Sequence, residues 1–142
     1  MRVVAVLILF VISFSSKAQQ PITWTEKQLI EPADLAKTIS SGKDVPLTIS
    51  VGPGAVIPQS IATGMARETQ NLETLRKKLE PISRKKKIVI YCGCCPFGKC
   101  PNVRPALALL KEMKFKHYYL LDLPENVKHD WIDKGYPVAK VE

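Results

Sequence analysis

The sequence predicts an α/β domain built on a mostly parallel sheet, and three observations carry that prediction. Short apolar, β-branched runs at 47–51, 87–91 and 118–121 read as buried strands. Stretches of helical period lie between them. Glycine and proline punctuate the junctions, and strands that alternate with helices pair in parallel through crossover connections.

Arg2 is followed by an apolar run over 3–12, then by serines and the small-residue site Ser16-Lys17-Ala18, with cutting expected before Gln19. That order is the order of a cleavable signal peptide over 1–18, and the apolar run is well short of the ~20 residues that a bilayer span needs. No cysteine follows the run, so a lipoprotein signal is not expected. The expectation is an exported chain, periplasmic or secreted. Its mature part, 19–142, would form one domain with one core and no membrane association after cleavage. The net charge of the 142 residues is +8, and removal of Arg2 and Lys17 takes it to +6. Such a balance favours small anionic substrates. Export and the lack of a recognition motif argue against nucleic acid, and the basic run at 84–87 reads as a solvated approach to a strand. A monomer is expected.

Residues 21–28 read as a short lead-in in which Ile22 and Trp24 alternate as in an edge strand. Pro32 stands at the first position of a helix with Asp34 in its first turn, and Gly42 stops that helix after Ser41. The strand at 47–51 is broken by Gly52-Pro53-Gly54, and Pro58 keeps the following segment irregular. A second helix spans 69–79, with Leu72, Leu75 and Leu79 on one stripe and Pro81 at its end. The strand at 87–91 leads through a loop into a helix over 102–113 that carries Ala106, Leu109, Leu110 and Met113 on one face. Beyond the strand at 118–121, Pro124 opens a last helix through Val127, Trp131 and Ile132, with Gly135 as its stop. Val127 and Trp131 fall four apart, which places the indole in the core.

The loop between the strand at 87–91 and its helix holds all four cysteines, Cys92, Cys94, Cys95 and Cys100. Cysteines in an exported chain first suggest disulfides. These lie within nine residues, so any bridge closes a tiny loop and removes little chain entropy. Chemistry explains them better than stapling. A strand that opens through a loop into a helix aims backbone N–H groups and the positive helix end at one point, where an anion or a thiolate is stabilised. Cys92 follows the strand directly and is the candidate nucleophile. Gly93 and Gly98 would let the loop curl with N–H groups inward. Lys99 and Arg104 add positive charge that lowers a thiol pKa and draws anions, although Arg104 also reads as a surface residue of the helix's first turn.

Other chemistries meet the same residues. Cys92-Gly93-Cys94-Cys95 contains a Cys-x-x-Cys spacing between strand and helix, so a thiol–disulfide redox protein is an alternative. For zinc, Cys95 and Cys100 are slightly wide as a pair, Cys92 and Cys94 are tight, and His117 and His129 are remote. No metal ligand is assigned, and a non-catalytic module that binds metal through its cysteines is the second alternative. Pro96 stands where a c-type haem motif needs His, and Gly98 where a phosphatase loop needs Arg.

At this point the residues resemble the rhodanese (sulfurtransferase) family. Ile88-Val89-Ile90-Tyr91-Cys92 looks like the family's strand ending in its catalytic cysteine. Ala106-Leu107-Ala108-Leu109-Leu110 followed by Phe115 is similar to the helix behind the active-site loop. Trp131-Ile132-Asp133-Lys134-Gly135-Tyr136-Pro137-Val138 resembles the Trp-x-x-x-Gly-x-Pro-Val ending. The similarity covers residues 29–138. It implies a rhodanese-like three-layer domain, a central parallel sheet flanked by helices, with Cys92 as the catalytic residue that carries persulfide sulfur. The partners it implies are a small anionic sulfur donor of thiosulfate type and a thiol or cyanide acceptor, with no cofactor. Substrate would lie against Gly93, Cys94, Cys95, Phe97, Gly98, Lys99, Asn102 and Arg104. Cys94, Cys95 and Cys100 would be accessory thiols that relay sulfur, form a resting disulfide or protect Cys92. The chain departs from the family pattern in its longer loop, with Phe97 where a polar residue follows the cysteine. It also has Ser50 and Gly52 where Asp and Arg often end an early strand, and Leu123-Pro124-Glu125-Asn126 in place of Gly-Gly.

Overall fold

The computed structural model describes residues 24–140, so Ile22 and the expected leader over 1–18 lie outside the described residues. Ile88–Tyr91 (β4) is buried at every position, as an all-apolar strand is in the middle of a sheet covered on both faces. It pairs with Leu47–Ser50 (β2) on one side and Tyr118–Leu121 (β5) on the other, with Leu29–Ile30 (β1) and Ile61–Ala62 (β3) at the edges. The order is β1-β5-β4-β2-β3 and every pair is parallel, so the expected α/β class is the one the chain adopts.

The period of two along a strand divides the core. Ile88 and Ile90 face one side, where they meet Leu75 and Leu79 of Thr69–Leu79 (α2) and Val103, Ala106, Leu109 and Leu110 of Val103–Glu112 (α3). Val89 and Tyr91 face the other, against Leu35 and Ala36 of Pro32–Ser41 (α1), Val127 and Trp131. The result is three layers. Pro32 starts α1 and Gly42 ends it in the left-handed region at φ 66°, donating its N–H to Ile39 O. Among the described residues no helix is long and apolar enough to cross a membrane.

Three expectations need correction. The edge strand is Leu29–Ile30, not the segment around Trp24, because the 3₁₀ turn Glu26–Gln28 intervenes and the parallel register pairs Leu29 with Leu120. The segment after Pro58 is not wholly irregular, since Ile61–Ala62 adds a short strand with Ile61 opposite Ile49. The last helix shrinks to the single π-type turn Lys128–Ile132. There the Asp130 carboxylate accepts the N–H groups of Glu125 (2.7 Å) and Asn126 (2.9 Å), and a side chain that captures local amides in this way competes with a regular helix. The indole is buried as expected, and Trp131 Nε1 donates to Pro137 O at 2.7 Å.

Two side chains fix the segments that frame the end of β4. The Tyr91 hydroxyl accepts the N–H groups of Val56 (2.9 Å) and Ile57 (3.2 Å) and lies 3.1 Å from Ser60 Oγ, tying the loop after β2 to the central strand. Tyr91→Phe removes the acceptor and leaves those amides unmet, so it should lower unfolding free energy by about 1–3 kcal/mol in urea melts. A loss no larger than that of a half-buried Tyr118→Phe control would show that the tether is idle. Burial alone would raise the Asp130 carboxyl. Hydrogen bonds from His129 and from the Glu125 and Asn126 amides outweigh it and hold the group below its usual range. A depressed folded-state pKa contributes stability that is present above the unfolded value of about 3.9 and is lost as pH falls through the folded one. Asp130→Asn should therefore cost about 1 kcal/mol near pH 7, with the gap to the parent closing in strong acid. An equal gap at both pH values would reject the assignment.

Candidate functional site

Cys92 is placed by the pairing of β2 with β4. The Val51 N–H donates to Tyr91 O at 2.9 Å, so the two chains run side by side to their ends and bring Gly52 against Cys92. From there they leave toward β3 and β5, on opposite sides of the β2–β4 pair, and a crevice opens between the strand ends. A Cβ on Gly52 would lie 2.8 Å from Cys92 Sγ and 3.3 Å from Gly93 N, so only glycine leaves room for the sulfur. Gly93 is equally constrained, since a Cβ there would meet Val127 Cγ1 at 2.6 Å, and its carbonyl accepts the Val127 N–H at 3.1 Å.

Cys92 continues the alternation of β4 onto the α2/α3 side, where it is 3% exposed. Asn102, just before α3, donates Nδ2–H to Cys92 Sγ at 3.3 Å, while its Oδ1 accepts the Arg67 N–H at 3.1 Å. Cys94 Sγ is 3.3 Å from Cys92 Sγ and 3.3 Å from Cys95 Sγ, and all four sulfur atoms lie within 4.8 Å of one another. None is paired in a disulfide. Cys100 Sγ lies in the same cluster, and its thiol is the largest influence favouring the Cys92 thiolate. With the Cys94 amide, Asn102 and the Cys94 thiol, it outweighs burial and brings the Cys92 thiol down to about 5. Burial and the neighbouring sulfurs push Cys94 up to about 12, and Cys100 rises because Cys92 takes its hydrogen bond and because it is buried. A Cys92 thiolate beside protonated Cys94 and Cys100 is the outcome.

The expected ring of inward amides is only partly there. The Phe97 N–H is spent on Leu123 O (3.0 Å), that of Lys99 on Pro96 O and that of Cys100 on Phe97 O, which winds Phe97–Lys99 into a 3₁₀ turn. The neighbours of Cys92 Sγ at 3.3 Å are instead the Cys94 thiol and Asn102 Nδ2. Gly98 has neither a positive φ nor a neighbour within 4 Å of an added Cβ, so its expected role in curling the loop is not required. Phe97 packs on Trp24 with ring centroids 5.5 Å apart. The Arg104 guanidinium lies 5.1 Å over the same indole and donates to Gly98 O at 3.0 Å. Phe97 and Arg104 thus clasp the outside of the loop, as the surface reading of Arg104 allowed. Lys99 is exposed. Gly93, Cys94, Cys95, Asn102 and Cys100 do gather at Cys92. Nothing in the sequence marked the Arg67 amide, and Gly52 stood out as a strand breaker and as a departure from the family pattern, not as a neighbour of Cys92.

No protein-family model matches the chain, and no curated protein matches its sequence. Among solved structures, the solution NMR structure of the rhodanese-like domain of an Anabaena protein is similar, with a TM-score of 0.58 over 80% of this chain and 80% of that one at 13% identity. The chain has the rhodanese-like fold.

The two glycines provide a contrast. Gly52→Ala forces the new methyl into Cys92 Sγ, and overpacking of this kind should cost about 1–3 kcal/mol in thermal or urea unfolding. Gly98→Ala should stay within about 0.5 kcal/mol of the parent. Equal effects of the two changes would refute the close approach at Gly52.

Proposed function

We propose that the chain is an exported rhodanese-like sulfurtransferase that carries sulfane sulfur on Cys92. The observation behind this reading is a buried sulfur at the end of the central strand, with Asn102 Nδ2 and the Cys94 thiol each 3.3 Å from it and Cys100 Sγ in the same cluster. A thiolate held in this way is a nucleophile at neutral pH. The Cys92 thiolate attacks the outer sulfur of a thiosulfate-type donor. A new S–S bond forms, the donor's S–S bond breaks, and sulfite leaves with the electron pair. The persulfide's outer sulfur is then attacked by a thiolate or cyanide, and the Cys92 thiolate is regenerated. The same donors that hold the resting thiolate offset the charge of the persulfide's terminal sulfur. Cys94 is the exposed thiol nearest Cys92, so the donor approaches past it. The rhodanese-like scaffold and the placement of Cys92 at a strand's C-terminal end support this assignment, and the signal-like 1–18 supports action outside the cytoplasm.

The test is cyanide-dependent formation of thiocyanate from thiosulfate by the reduced, metal-free protein. Cys92→Ser should lose the activity by about 100-fold or more, as expected of a covalent nucleophile, while Cys95→Ser keeps most of it. Turnover that survives Cys92→Ser would sink the proposal. So would a parent that reduces or oxidises a test disulfide but never forms thiocyanate.

A further inference from the structure

We infer that the sulfur atoms of Cys92, Cys94, Cys95 and Cys100 form a binding site for a single thiophilic metal ion of the zinc(II) or copper(I) class. The inference stands on the geometry of the loop and does not rest on the sulfur-transfer reading. A tetrahedral zinc ion with Zn–S bonds of ~2.3 Å sets its ligand sulfurs about 3.8 Å apart. Here the close pairs are at 3.3 Å and all four atoms fall within 4.8 Å, so the required spacing lies inside the observed range. An iron–sulfur cluster has to fit its own iron and sulfide atoms among the cysteines, and these sulfurs are too close together for that. No carboxylate or imidazole belongs to the group, and four thiolates select soft cations over calcium, magnesium or manganese.

The surroundings suit a bound ion as well. Cys92 and Cys100 are buried and form the floor, anchored by the end of β4 and the approach to α3. Cys94 is exposed and Cys95 half-buried, which leaves an entry from solvent. Asn102 reaches the Cys92 sulfur with Nδ2–H at 3.3 Å. Outer contacts of this kind orient thiolate ligands and offset their charge. The spacing read along the sequence looked poor because Cys92 and Cys94 are close and Cys95 and Cys100 are far. The 3₁₀ turn Phe97–Lys99 folds the long segment back and removes the objection. Binding displaces the remaining thiol protons to solvent. The ion and a persulfide would compete for the sulfur of Cys92.

The experiment titrates the full chain, reduced and freed of metal under anaerobic conditions, with cobalt(II) as a spectroscopic probe. Zinc(II) and copper(I) are each titrated separately against a chromophoric chelator. The expected result is one equivalent of metal, a cobalt spectrum with intense thiolate-to-metal charge transfer and tetrahedral ligand-field bands, and zinc affinity weakened about 100-fold or more in Cys94→Ser, beyond the loss of an outer contact. Cys94 is exposed, so its replacement leaves the fold intact, and circular dichroism checks this. His117→Ala should bind as the parent does. Zinc or copper held equally by the parent and Cys94→Ser, a six-coordinate cobalt spectrum, or fewer than half an equivalent of metal would each overturn the site. Metal stoichiometry and thiocyanate formation by the metal-free chain are separate readouts, so either proposal can fail alone.

Discussion

Four sulfur atoms within 4.8 Å of one another cannot all be charged, and the chemistry of this molecule depends on that constraint. Two unit charges about 4 Å apart repel by about 4 kcal/mol at an effective dielectric of ~20, enough to keep a neighbouring thiol protonated at neutral pH. The loop therefore has room for one thiolate, and the donors decide which sulfur it is. Asn102 Nδ2 and the Cys94 thiol meet Cys92 Sγ, which is pulled down to about 5, while Cys94 and Cys100 are pushed up. A metal ion is the other way to relieve the same repulsion, since its positive charge lets all four sulfurs ionise.

The scaffold delivers this arrangement through a few close contacts. The parallel pairing of β2 with β4 continues to Val51 and Tyr91, and the missing side chain of Gly52 leaves the space that Cys92 Sγ needs. Strand alternation turns Cys92 toward α3 and Tyr91 toward the opposite layer, so one strand end serves two purposes. On the far side Tyr91 anchors the loop after β2 by its hydroxyl. Gly93 lies against Val127, within the turn that Asp130 holds together. Packing, not chain length, keeps the loop in place.

Thiol donors and backbone amides differ as partners of a negatively charged sulfur. Backbone amides in a tight curl act as fixed dipoles, whereas thiol donors can give up their protons and become ligands or nucleophiles themselves. Phe97, Arg104 and Trp24 close the outside of the loop through ring packing and a guanidinium over the indole. The likeness to a solved rhodanese-like domain at 13% identity speaks for the scaffold, and the sulfur chemistry is particular to the loop that this scaffold carries.

Periodicity and punctuation determined much of the architecture without help from tertiary contacts. The helix Thr69–Leu79 and the strand Tyr118–Leu121 fall where leucine spacing and apolar runs place them, because those residues need one covered face wherever they lie. The two-residue strands left too little pattern to read, since a partner across the sheet, not a run of side chains, holds Leu29–Ile30 and Ile61–Ala62 in place. Composition alone fixed that four thiols share one short loop. Only the folded chain decided that all four sulfurs converge, that an asparagine side chain and not a row of amides meets Cys92, and that Gly52 from another strand completes the crevice. Those are contacts between residues far apart in the chain or set by a turn's exact path, and no local spacing encodes them.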